Sequence, residues 1–292
     1  MGKHASSTNS SSTRQCRFGF GPPLKLPVSR RSCLRFAAAG AGIGASGLLA
    51  TLSGCSTLLA PSPIPLQQMF DDNACPGVQA PVLLVMLPGA YMEPAEMLRE
   101  GMVSALRRRA VAADVRVVDA HLGYLYDGSM LDRLHQDVVI PARAQGYRRI
   151  WFAGISLGGF LAMVYAMRHP GQVEGIVTLA PYLGRRQLLQ AVAAAGGLAA
   201  WQKTAQPRTE DDVDHALWMW LSARPLGAPG APDLYLGYGT EDRFAQGHAL
   251  MAQTLPAGHT QTVPGGHDWP PWKQLWADWL DRGLLSGQCQ AR

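Results

Sequence analysis

Gly154-Ile155-Ser156-Leu157-Gly158 lies directly behind the apolar run Ile150–Ala153 and ahead of a long apolar stretch that begins at Phe160. A G-x-S-x-G pentapeptide between a strand and a helix makes a sharp turn that lifts the serine hydroxyl clear of a sheet. Glycine is needed on both sides because a β-carbon there collides with the neighbouring strand and helix backbones. The flanks suit such a turn. Arg149–Ala153 is apolar without strict alternation, the mark of a parallel strand covered on both faces. Gly158 and Gly159 let a helix start close to the sheet, and Phe160–Met167 is apolar almost all round, as in a helix buried on most sides. His169-Pro170-Gly171 ends it, since proline disfavours helical geometry before it and glycine suits the turn.

The same alternation of strand and helix runs through residues 81–287. Val82–Leu87 is a continuous apolar run closed by Pro88-Gly89. Pro94–Ala110 reads as one helix, with Met97, Leu98, Met102, Ala105 and Leu106 on its apolar face. Glu96 and Glu100 come early and Arg107–Arg109 late, which matches the helix dipole. Val115–Val118 is the next strand, and Met130–Val139 is helical in pattern until Pro141, which should kink or end it. Gly175–Leu179, Leu234–Gly237 and the more weakly patterned His259–Val263 are further strands. Trp272, Leu275, Trp276, Trp279 and Leu280 form the stripe of a closing helix, with Pro271 suited to its first turn. The pattern predicts one α/β domain, a mostly parallel sheet flanked by helices. Between its strands lies an insert, about residues 182–230, with helical patterns at Leu188–Ala195 and Asp212–Ala223. Thr209-Glu210-Asp211-Asp212 has the form of a capping box. An insert of this size with helices of its own is expected as a cap over a site.

The first 54 residues are a different material. They hold seven Lys or Arg and no Asp or Glu, so without them the chain's formal charge of +5 falls to −2. The basicity is therefore local and does not point to nucleic acid. Ser29-Arg30-Arg31-Ser32-Cys33-Leu34-Arg35 resembles a twin-arginine export signal, with Cys33 in the usual phenylalanine position. Phe36–Leu52 is short and only mildly apolar for a membrane-spanning helix. Leu52-Ser53-Gly54-Cys55 resembles a bacterial lipobox. That resemblance implies that Cys55 carries lipid and begins the mature chain, and several acyl chains on one residue give stable anchoring. Ser56, rather than Asp, resembles the pattern of periplasm-facing outer-membrane lipoproteins in Gram-negative bacteria. A plain cleaved signal and an uncleaved weak anchor are the other readings. Residues 55–80, with Pro61, Pro63, Pro65 and Pro76, suit an extended tether. Cys75 and Cys289, the two cysteines outside the signal region, can pair in an oxidising compartment or stand as unrelated thiols.

On the serine turn and the order of the segments behind it, residues 81–287 resemble an α/β-hydrolase, in which nucleophile precedes acid and acid precedes histidine. The resemblance makes Ser156 the nucleophile. Leu234–Asp242 resembles the family's strand–G-x-x-D element, with Asp242 at the acid position and Glu241 as the other candidate. The family's alternative acid position reads Ala180-Pro181-Tyr182-Leu183-Gly184 here and holds no acid. Val263-Pro264-Gly265-Gly266-His267-Asp268-Trp269 resembles the histidine loop, with His267 as base. His121, His135, His169, His215, His248 and His259 sit in helices or beside strands and read as structural or exposed. Leu87-Pro88-Gly89-Ala90-Tyr91 corresponds to the family's H-G-x element. It implies an oxyanion hole from the Ala90 and Leu157 N–H groups, with Pro88 in the usual histidine position leaving Tyr91 open beside Ala90. Trp201, Trp218 and Trp220, with Tyr91 and Tyr182, can line an apolar acyl pocket or fill core.

The expected function is a serine hydrolase acting on a small-molecule carboxylic ester or thioester through an acyl-enzyme. An acyltransferase using the same residues and a non-catalytic binding lipoprotein are the alternatives. No metal-ligand spacing, phosphate-binding glycine loop or dinucleotide fingerprint occurs, so neither cofactor nor metal is expected.

Overall fold

The computed structural model describes residues 62–72, 74–205, 212–223, 230–287 and 289. The signal-region residues, among them Arg30, Arg31 and Cys55, lie outside them, as does most of the capping box at 209–212. Within the described residues seven strands form one sheet: β1 (Gln68–Asp71), β2 (Val82–Leu87), β3 (Ala113–Val118), β4 (Arg149–Ile155), β5 (Gly175–Leu179), β6 (Asp233–Gly239) and β7 (Thr260–Val263). Their order is β1-β3-β2-β4-β5-β6-β7, all parallel except β1, which runs antiparallel to β3. This is the α/β-hydrolase fold.

The apolar run of β2 has its explanation in two cores. Leu83, Val85 and Leu87 join Phe152, Ile176 and the serine helix Leu157–Arg168 on one face. Val82, Leu84 and Met86 join Val115, Val177 and the closing helix Trp269–Asp281 on the other. A strand whose alternate side chains both meet apolar layers has no polar face to show in sequence. The serine helix is likewise buried from Leu157 to Ala166, which accounts for the absence of a polar stripe.

Two expectations need correction, and two open readings are decided. Residues 55–80 read as a tether, yet their described part packs onto the domain. β1 pairs with β3, Leu66 is 2% exposed, and its N–H donates to Asp137 Oδ2 at 2.8 Å. The single helix expected over Pro94–Ala110 is two, Pro94–Arg99 and Met102–Arg108, because Gly101 between them takes a left-handed φ of 87°. Pro141, read as kinking or ending its helix, distorts it without ending it. A π-helical turn, Leu134–Val139, carries the chain into Ile140–Ala144, and the Asp137 carbonyl that a proline cannot satisfy accepts from Gln68 Nε2 at 3.1 Å. Of the two readings of the insert's tryptophans, core holds for Trp218 and Trp201. Trp218 is fully buried and donates to the Leu183 carbonyl at 2.8 Å, and Trp201 is buried in the same core.

The insert carries helices Arg186–Ala194, Leu198–Thr204 and Val213–Ala223, the last packed on the serine helix. Arg185 ties its two halves together, donating to Asp212 Oδ1 at 2.5 Å and to Asp214 Oδ2 at 3.1 Å. A disulfide joins Cys75 and Cys289, whose Cα atoms are 5.5 Å apart.

Candidate active site

Parallel strands deliver their carboxyl ends to one edge, and the loops leaving that edge bring three distant residues together. Ser156 follows β4 directly, with φ 51° and ψ −112°. Its N–H donates to the Leu179 carbonyl at the end of β5, and its own carbonyl accepts from Tyr182 N, both at 2.9 Å. The turn can be this tight only without side chains at its flanks. A β-carbon on Gly158 would stand 2.0 Å from the Leu87 carbonyl oxygen, and one on Gly154 would stand 2.4 Å from the Gly158 backbone. The expected collision is the one the packing produces.

Asp242 lies in the turn after β6 and His267 in the loop after β7. Two backbone bonds stitch these segments, Thr240 N to the Val263 carbonyl at 2.8 Å and Glu241 N to the Gly265 carbonyl at 2.9 Å. His267 Nδ1 is 2.7 Å from Asp242 Oδ2, and its Nε2 is 3.0 Å from Ser156 Oγ. A carboxylate only accepts, so Nδ1 carries the proton and donates to Asp242. Nε2 is then left as an acceptor for the Ser156 hydroxyl. Phe244 and Trp272 stand edge-on to the imidazole, each with its ring centroid 5.1 Å away, and fix its plane.

The Asp242 side chain is fully buried. Burial pushes its carboxyl up, but hydrogen bonds from His267 and from Phe244 N–H, with the nearby histidines, outweigh that and hold it below the ordinary carboxylate range. It stays charged where a lone buried acid would not. Glu241, the other candidate, points outward and is exposed.

Gly89, on the loop after β2, packs against the serine turn, since a β-carbon there would lie 3.6 Å from Ser156 Cβ. Ala90 is the next residue on that loop. Leu157 is the first residue of its helix, so its N–H has no intrahelical acceptor. Tyr91 takes φ 63° and is 72% exposed. Tyr182 packs between Phe160 and Phe244, at centroid distances of 5.4 and 6.3 Å, and Phe244 in turn touches the His267 ring.

His248, one of the histidines read as structural or exposed, is structural. It is fully buried behind the acid turn, and its Nε2–H donates to the Pro181 carbonyl at 2.9 Å. Burial drives its pKa down to about 4, against the Pro181 bond and the charge of Asp242. The residue therefore braces the acid segment against the loop behind β5 as a neutral imidazole. Its sequence setting, mid-helix, carried no such signal. Among the described residues no group of three or more His, Cys, Asp or Glu could hold a metal ion.

A family model described as "Putative esterase" matches residues 140–281, a span that includes Ser156, Asp242 and His267. None of the curated proteins matches the sequence. Solved structures share the fold. The fluorophosphonate-binding serine hydrolase FphF of Staphylococcus aureus superposes with a TM-score of 0.54 at 13% identity, covering 78% of this chain and 100% of that one. The S-formylglutathione hydrolase FrmB of the same organism gives 0.52 at 14%, covering 74% and 97%. Est1E of Butyrivibrio proteoclasticus gives 0.51 at 12%, covering 75% and 92%. With the fold and the esterase match together, the chain is an enzyme of the carboxylic ester hydrolase class.

Proposed function

We propose that the chain hydrolyses a carboxylic ester or thioester through Ser156 as nucleophile, His267 as base and Asp242 as the acid that orients it. The observation that carries this reading is the bridge made by one imidazole, 2.7 Å from the carboxylate and 3.0 Å from the hydroxyl. As Ser156 Oγ attacks the carbonyl carbon, its proton passes to His267 Nε2, and Asp242 stabilises the imidazolium. The Ala90 and Leu157 N–H groups bind the oxyanion, and each such donor contributes about 3–4 kcal/mol in the transition state. His267 returns the proton to the leaving group, and water then releases the acyl group by the same steps in reverse roles. Tyr182, with the insert behind it, forms one wall over the acyl group.

The reading extends to location. Arg30-Arg31 and the Leu52–Cys55 motif favour export with a lipid anchor at Cys55 on the periplasmic side of an outer membrane, and the Cys75–Cys289 disulfide fits an oxidising compartment. A fluorophosphonate probe is expected to label the wild type and not Ser156→Ala; equal labelling of both would remove Ser156 from the chemistry. Labelled palmitate is expected in the wild type and absent from Cys55→Ala, and its absence from both would remove the anchor.

A further inference from the structure

The geometry points to a catalytic edge that faces the bilayer and takes its acyl ester from it, an inference that rests on the hydrolase and anchor readings above and names their substrate class. Its starting point is the direction of β1. Because β1 is antiparallel to β3, with Gln68 opposite Val118, the chain before it joins the domain at the carboxyl edge of the sheet. That is the edge where Ser156, Asp242 and His267 meet. Hydrogen bonds hold the incoming segment there: Ser62 Oγ donates to Asp127 Oδ2 at 2.6 Å, and Tyr124 Oη–H donates to the Pro63 carbonyl at 2.6 Å. β1 and the serine strand β4 stand three strand spacings apart, about 14 Å.

Chain length then limits where the domain can sit. The seven residue steps from Cys55 to Ser62 span at most about 25 Å when fully extended. A domain of this size is roughly 45 Å across. A lipid on Cys55 therefore keeps the carboxyl edge near the membrane and cannot reach round the molecule to place the opposite edge there.

The surface at that edge suits such a contact. The three most exposed large apolar or aromatic side chains among the described residues are Tyr126 at 75%, Ile64 at 72% and Tyr91 at 72%. Ile64 and Tyr126 lie one residue from the Pro63–Tyr124 and Ser62–Asp127 bonds respectively, and Tyr91 follows strand β2 at the same edge. Tyrosine with an apolar companion is the composition that settles at the headgroup level of a bilayer. The substrate class is an acyl ester of a membrane lipid. Ser156 Oγ takes the acyl group, the ester C–O bond breaks, and the lipid alcohol leaves with the proton held by His267. Water then frees the fatty acid.

The test uses the full, lipidated chain on phosphatidylcholine vesicles and, in parallel, on a soluble p-nitrophenyl ester. A long Gly/Ser insert between Cys55 and Ser62 preserves anchoring, read by vesicle flotation, but releases the edge from the surface. Vesicle hydrolysis relative to soluble-ester turnover is expected to fall about tenfold, as the effective concentration of a tethered group falls with linker length. The double variant Ile64→Ser/Tyr126→Ser should lower the same ratio. A bimane attached at Tyr126→Cys should be quenched by brominated phosphatidylcholine in the anchored protein. An unchanged ratio in both variants, or an unquenched probe, overturns the inference. Failure of the wild type on the soluble ester would instead sink the hydrolase reading, and absence of palmitate the anchor.

Discussion

Backbone with positive φ occurs at both edges of the sheet, in different company. At the amino edge Ala110 (φ 50°) and Leu285 (φ 64°) follow helices, where a left-handed residue lets the last carbonyls find partners. At the carboxyl edge Tyr91 (φ 63°), Ser156 (φ 51°) and Ala180 (φ 48°) follow strands instead. A non-glycine residue held there costs of order 1–3 kcal/mol, and it persists only when its surroundings over-determine it. They do so here. Ser156 N donates to Leu179 at the end of β5, and Ala180 N donates to Gly237 in β6 at 2.7 Å, so each strand end pins the next. Strain that terminates helices is housekeeping, whereas strain stitched across three strand ends holds side chains in place for chemistry.

If that contrast is right, substitutions should lose effect in a definite order. His267→Ala, at the carboxyl edge, should lower turnover of a soluble ester by about four orders of magnitude or more. Steady-state kinetics would show it, and a loss under about tenfold would place the base elsewhere. Gly158→Ala should come next, because its β-carbon would meet the Leu87 carbonyl, backbone that cannot swing aside. Urea midpoints should report a loss of about 4 kcal/mol or more, and a loss under about 1 kcal/mol would mean the turn yields.

His248→Gln tests the brace beneath the site. Its folded pKa of about 4 lies below the unfolded value of 6.5, so between those limits the unfolded chain binds the extra proton. Stability therefore rises with pH across that window, is fully present above it, and is lost as pH falls, by roughly 3 kcal/mol in all. The variant should flatten this slope in melts taken across the window, and an unchanged slope would assign it to other groups. Smallest is Arg149→Ala at the amino edge, whose partner Glu174 lies 2.9 Å away in a half-exposed pair. It should cost at most about 1 kcal/mol and leave turnover alone. A marked loss of turnover there would erase the distinction between the two edges.

Much of this was readable in the chain, for local reasons. β2, β4 and β5 announce themselves because strands covered on both faces are apolar throughout. The serine turn, the acid turn and the histidine loop are each short motifs in a fixed order, so their meeting could be anticipated without coordinates. β1 could not: Gln-Met-Phe-Asp is short, half polar and exposed, and becomes a strand only because β3 offers a free edge. Pro141 leaves kink and end both open for a similar reason, since its remedy, the Gln68 amide, comes from 73 residues earlier. The insert's tryptophans read as pocket or, more commonly for such spacing, core, and burial in the layer of the serine helix decides for core. His248 matters only through a carbonyl 67 residues away.

The Cys75–Cys289 bridge closes all but a short lead of the domain into a covalent ring. β1 lies upstream of Cys75, outside that ring. A mechanical pull from the N-terminal side would therefore unzip β1 from its neighbour and stop at the bridge, with the hydrolytic ring still intact. The edge strand is a releasable clasp, and undoing it frees the lead without unravelling the ring behind it.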